Sequence, residues 1–71
     1  MDKFYFSAKI HQEYADQIRQ KAIDLGVSSK NIVIKKEGCK LLYLGIYIKF
    51  DDADTYEKFK NLHLPGIVET W

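Results

Sequence analysis

From Lys3 to Ile10 the chain alternates, and a period of two marks a strand with two unlike faces. Phe4 and Phe6 point one way; Lys3, Tyr5, Ser7 and Lys9 point the other. From about Gln12 the period lengthens. Tyr14, Ile18, Ala22 and Leu25 fall on one stripe of an amphipathic helix, which Gly26 ends as a left-handed cap with Val27 folding back on the last turn. After the polar "SSKN", Ile32, Val33 and Ile34 make a short β-branched strand. A hairpin turn around Glu37-Gly38 leads into a longer one. There Leu42, Leu44, Ile46, Ile48 and Phe50 share a continuous apolar face, and Tyr43, Gly45, Tyr47 and Lys49 share the opposite face. Asp51 or Asp52 can cap a second helix, since a carboxylate accepts from orphan N–H groups and suits the positive helix end. Its inner or boundary stripe is Ala53, Tyr56, Phe59 and His63. "LPG" stops it, and "IVETW" makes a closing strand.

The element order is therefore β-α-β-β-α-β, within one domain spanning residues 1–71. Two crossover helices and one hairpin fit an α+β, ferredoxin-like fold: a four-stranded antiparallel sheet with both helices on one face. The other face is then bare. Alternation assigns to it Lys3, Tyr5, Ser7 and Lys9, then Val33 and Lys35, then Tyr43, Gly45, Tyr47 and Lys49. Glu69 does not suit a core, so Val68 is expected inward, and Ile67, Glu69 and Trp71 outward. The first and third strands are central in this fold, which places Tyr5 beside Tyr43 and Tyr47. Several aromatics on one bare face exceed what a soluble monomer usually exposes as a patch.

Charge narrows the choice of partner. Ten lysines and one arginine nearly balance ten acids, at net +1, which fits neither a strongly basic nucleic-acid clamp nor an acidic DNA mimic. Arg19 is the only guanidinium, and guanidinium forks are the usual tool for bidentate phosphate or guanine contacts. Cys39 is the only cysteine, so no internal disulfide forms and a reducing compartment is expected. With no signal-like start and no membrane-length apolar run, the expected location is cytoplasmic.

The same residues carry a likeness to a known family. "FYFSAK" (Phe4 to Lys9) and "YLGIYIKF" (Tyr43 to Phe50) resemble the two signature strands of the RNA-recognition motif, which has the same βαββαβ order. The resemblance places Tyr5 and Tyr47 as base-stacking aromatics, with Ile48 and Phe50 in the core. The acidic helix start "DDADTYEKF" is also similar to that family. Gly45 stands where the family has its first third-strand stacking aromatic, and Tyr43 where it has a basic residue. The resemblance implies single-stranded RNA as the ligand, stacked on Tyr5 and Tyr47, with Lys9, Lys35 and Lys49 following the phosphates.

Reaction chemistry finds little footing. His11 and His63 sit before one helix and near the end of the other, and Cys39 lies in the hairpin turn, so no three-ligand metal set converges. His63 there suits a helix C-terminus by charge and dipole. Cys39 between Lys36 and Lys40 lacks a base to activate it. "DDAD" is a capping sequence rather than a cation cage. Acylphosphatases share this fold but hold phosphate with loop arginine and asparagine, whereas Arg19 falls in mid-helix. The glycines are isolated, with no phosphate-cradling loop.

The expectation is a stand-alone interaction module with no catalytic residue, cofactor or metal. It would bind a partner protein or a second copy of itself through Tyr5, Tyr43, Tyr47 and Trp71, with Lys9, Lys35 and Lys49 at the rim. Its size and style suit a small regulator or inhibitor such as a phage or mobile-element anti-defence protein. The alternatives are a single-stranded RNA binder and an oligomeric domain holding a small ligand or nucleotide between subunits.

Overall fold

A computed structural model describes residues 4–36 and 42–71. The expectations for Lys3, the Glu37-Gly38 turn and Cys39 lie outside the described residues. Strand β1 (Phe4–His11) passes through a single 3₁₀ turn (Gln12–Tyr14) into helix α1 (Ala15–Asp24). A second 3₁₀ turn (Ser29–Asn31) precedes β2 (Ile32–Lys36), followed by β3 (Tyr43–Phe50), α2 (Ala53–Lys60) and β4 (Ile67–Thr70). All pairings are antiparallel, and the sheet order is β2-β3-β1-β4. This is the expected ferredoxin-like layout, with β1 and β3 in the centre.

The core forms where the even-numbered residues of β1 and β3 meet the helices. Ala8, Ile10, Ile46, Ile48 and Phe50 are buried in one cluster with Ile18 and Ala22 of α1 and Phe59 of α2. Phe59 is wholly buried, its ring 5.1 Å from that of Phe6 and 5.3 Å from that of Phe50. Tyr56 closes the same cluster against Phe4 and Phe50, each 5.5 Å away. Edge and tilted ring pairs of this kind add about 0.5–1.5 kcal/mol each beyond the area they bury. Short helices of eight and ten residues are marginal alone, so this packing is what holds them.

Both helix ends follow the local chemistry. Gly26 has φ +100°, its N–H donates to the Ile23 carbonyl, and the Val27 N–H donates to that of Ala22. That is a Schellman cap, with Val27 buried beneath it. At the start of α2 the Asp52 carboxylate accepts from the Thr55 amide at 3.2 Å. Asp52, not Asp51, is thus the cap.

Three inward assignments do not hold. Leu42 precedes β3, lies beyond the Lys36–Leu44 and His11–Tyr43 pairs, and is 65% exposed. Ala53, the first residue of α2, is exposed. His63 is exposed as well: α2 stops at Lys60 with Asn61 as its C-cap, so His63 lies beyond the last turn, which Lys58 and Lys60 occupy.

The fourth correction is in β4. Ile10 pairs with Ile67, while Lys9 pairs with Glu69, so Val68 is an extra residue in the ladder. This bulge resets the alternation. Ile67 packs against the core instead of facing outward, and Val68, expected inward, is 45% exposed. Glu69 and Trp71 keep the outward side that the pattern assigned them.

Candidate binding face of the sheet

Register fixes what the bare face looks like, row by row. Tyr5 stands opposite Lys49 at one end. The next row runs Val33, Tyr47, Ser7, and the Trp71 amide closes it by donating to the Ser7 carbonyl at 2.9 Å. Then comes Lys35, Gly45, Lys9, Glu69. Tyr43 and His11 form the last row.

The two halves differ in character. At the first end Tyr5 is 54% exposed and Trp71 53%, and the Trp71 ring lies 5.9 Å from that of Tyr47. Tyr5, Val33, Tyr47, Ile48 and Lys49, with Lys30 and Asn31 from the turn before β2, line a shallow depression of about 230 Å³ there. At the other end the His11 and Tyr43 rings are 5.1 Å apart. Tyr5 does not lie beside Tyr43: Tyr5 is six residue steps along β1 from His11, the partner of Tyr43, which is roughly 20 Å of strand. Two-fold periodicity says which residues share a face but not how far apart they sit along it.

Gly45 has no side chain and is buried beneath the neighbours around it. Its two cross-strand partners reach diagonally onto the tyrosines on either side. The Lys9 ammonium lies 5.1 Å from the Tyr43 ring centroid, and that of Lys35 lies 5.5 Å from Tyr47. Such pairs let a long stem cover apolar surface while the charge stays wet. Gly45 is thus flanked by two lysine–tyrosine pairs, one on each side.

Charge is unevenly divided between the two sides of the molecule. Among the described strand residues, Lys9, Lys35 and Lys49 lie on the bare face with Lys30 at its rim, against Glu69 as the acid. The two helices and their leading turns carry Glu13, Asp16, Asp24, Asp51, Asp52, Asp54 and Glu57, with Arg19, Lys21, Lys58 and Lys60 among them, and Lys36, opposite the core-packed Leu44, has the parity of the helical face. Near-neutral net charge concealed this polarity. A larger depression of about 370 Å³, lined by His11, Gln12, Glu13, Asp16 and Leu42, opens beyond the Tyr43 end, and it sets two carboxylates beside the His11 imidazole.

The structure therefore gathers Tyr5, Tyr47, Trp71 and Lys49 at one end of the face, and Lys9, Lys35 and Tyr43 towards the other. It adds residues the sequence reading passed over. His11 has the parity of Lys9 and could have been placed by extending the strand one residue. Lys30 and Asn31 precede β2 and gave no periodic signal. Among the described residues no group of three histidines, cysteines or carboxylates could hold a metal ion. No described helix is long and apolar enough to cross a membrane. No protein-family model, curated protein or solved structure gives a significant match to this chain, so the likeness to the RNA-recognition motif rests on strand order and a few aromatic positions.

Proposed function

We propose that this protein is a non-catalytic interaction module whose bare sheet face holds a partner protein. One observation carries the reading: the exposed Tyr5 and Val33 line a single depression with Tyr47 on the bare sheet face, and the exposed Trp71 ring lies 5.9 Å from that of Tyr47. Large aromatics around a concave centre, with lysines outside them, are the usual make-up of a protein-binding hot spot and its polar rim. A module that acts by occupying another molecule suits a regulator or inhibitor. Phage and mobile-element proteins that block host defences work this way, an analogy of size and style only.

The test is comparative capture. Tagged wild type and the Tyr5→Ala and Trp71→Ala variants are recovered from the same cells, with co-purifying protein and nucleic acid both quantified. A stoichiometric protein that is lost with either variant, at unchanged melting temperature, is the expected result. Retention by both variants would remove the sheet face from the reading. Single-stranded RNA is the second reading, favoured by the lysine excess on the face; RNA captured by wild type and lost with Tyr5→Ala would select it.

A further inference from the structure

We propose that the partner presents an acidic segment carrying one bulky apolar side chain, which enters the Tyr5 depression while neighbouring carboxylates meet Lys49 and Lys30. The inference rests on the sheet-face reading above and specifies the chemistry that face selects.

The depression has an apolar floor of Tyr5, Val33 and Tyr47, and room for a leucine or phenylalanine side chain. Its charged lining residues are Lys30 and Lys49, both cations. Lys35 and Lys9 continue the positive track across the sheet, each held over a tyrosine ring. A chain that fills the depression and runs on along the face therefore meets four ammonium groups and, among the described strand residues, one carboxylate, Glu69. Charge complementarity favours an acidic occupant, and like charges would suppress basic ones.

The same arrangement weighs against two other occupants. A second copy docked face to face would set Lys9, Lys35 and Lys49 against their own kind. A polynucleotide needs ring faces for successive bases. Here the Tyr43 and Tyr47 rings already carry ammonium groups, the Lys35–Gly45–Lys9–Glu69 row has no aromatic, and Tyr5 and Tyr43 stand at opposite ends. Lysines as point charges also suit carboxylates without demanding the bidentate geometry that arginine provides.

Fluorescence anisotropy with defined probes tests the proposal at low salt. The probes are a glutamate-rich dodecapeptide with one central phenylalanine, the same peptide with serine for phenylalanine, the same with glutamine for every glutamate, and a dodecamer of uridine. The expected result is tightest binding of the first peptide. It should weaken at least about fivefold on loss of either the ring or the charges, and again with Lys49→Glu or Tyr5→Ala in the protein. Equal affinity for the glutamate and glutamine peptides, still sensitive to Tyr5→Ala, would overturn the acidic assignment and keep the sheet face. Peptide binding indifferent to both substitutions, or absent altogether, would overturn both. Oligouridine bound more tightly than the acidic peptide would replace the protein partner with RNA. Concentration-dependent association in sedimentation, abolished by Lys49→Glu, would replace it with a second copy whose acidic helical side fills the face.

Discussion

Replacing Gly66 by alanine tests how the last strand, and with it Trp71, is held in place. Gly66 has φ +80°, a conformation that costs an L-residue roughly 1–2 kcal/mol. A Cβ built there would also meet the Tyr14 ring, with the Cβ and Cγ atoms of Tyr14 only 2.7 Å away. Tyr14 packs against the core, so it cannot simply swing aside, and overpacking of this kind costs about 1–3 kcal/mol more. The sum of about 2–5 kcal/mol compares with roughly 4–11 kcal/mol expected for a domain of 71 residues. Gly26 is the internal control: its φ is +100°, yet nothing lies within 4 Å of a Cβ there. Gly26→Ala should therefore cost only the backbone part, about 1–2 kcal/mol. Urea unfolding followed by circular dichroism gives both values, and a Tyr14→Gly background, which removes the Tyr14 Cβ together with the ring, isolates the collision as a coupling energy. In that background Gly66→Ala should fall to the cost of Gly26→Ala. Equal costs for Gly66→Ala with and without the Tyr14 ring would refute the argument.

Three further outcomes are expected. Ile46→Asp would bury an unpaired carboxylate under the helices and should abolish cooperative folding; a melt near the wild-type temperature would mean that the faces of β3 are reversed. Asp52→Ala removes the acceptor of the Thr55 amide and should cost about 1 kcal/mol, with Asp52→Asn recovering most of it; equal losses for both would mean that charge rather than the hydrogen bond matters. Light scattering at high concentration should find a monomer, and a dimer that Tyr47→Glu dissolves would instead place a second copy on the sheet face.

The fold was legible because its longest signals were its simplest. Strand β3 keeps strict alternation from Tyr43 to Phe50, and the Tyr14–Ile18–Ala22 stripe with Gly26 behind it defines one helix and its end. What failed lay at the ends of elements or depended on partners. Leu42 continues the apolar pattern of β3 but lies before the strand begins and is exposed, and pattern alone cannot tell where a strand and its covering layer stop. His63 continues the spacing of Tyr56 and Phe59, yet the helix is already capped at Asn61. The β4 bulge has no marker in "IVETW". Avoiding an inward Glu69 pointed to the right side for Glu69 and Trp71 but the wrong one for Ile67 and Val68, because an extra residue in the ladder changes parity midway.

The bare face was half legible for a related reason. Membership of the face follows from parity, but its electrostatics follow from register, which sequence does not display. Register sets Lys9 and Lys35 on either side of Gly45, and only then can each reach a tyrosine two residues along the central strand. That placement changes what the lysines can do. A free lysine on a surface loses rotamer entropy when it pairs with a ligand, whereas a stem already laid on a ring has lost much of it on folding. Each ammonium is held in place by an interaction of about 0.5–1 kcal/mol that leaves it open to water and to an incoming carboxylate. Net charge near zero argued against any charged partner only while the charges were assumed to be mixed. With acids in the majority on the helices and their leading turns, and Lys9, Lys35 and Lys49 outnumbering Glu69 among the described strand residues of the bare face, a protein of balanced composition can still present one face with an excess of positive charge.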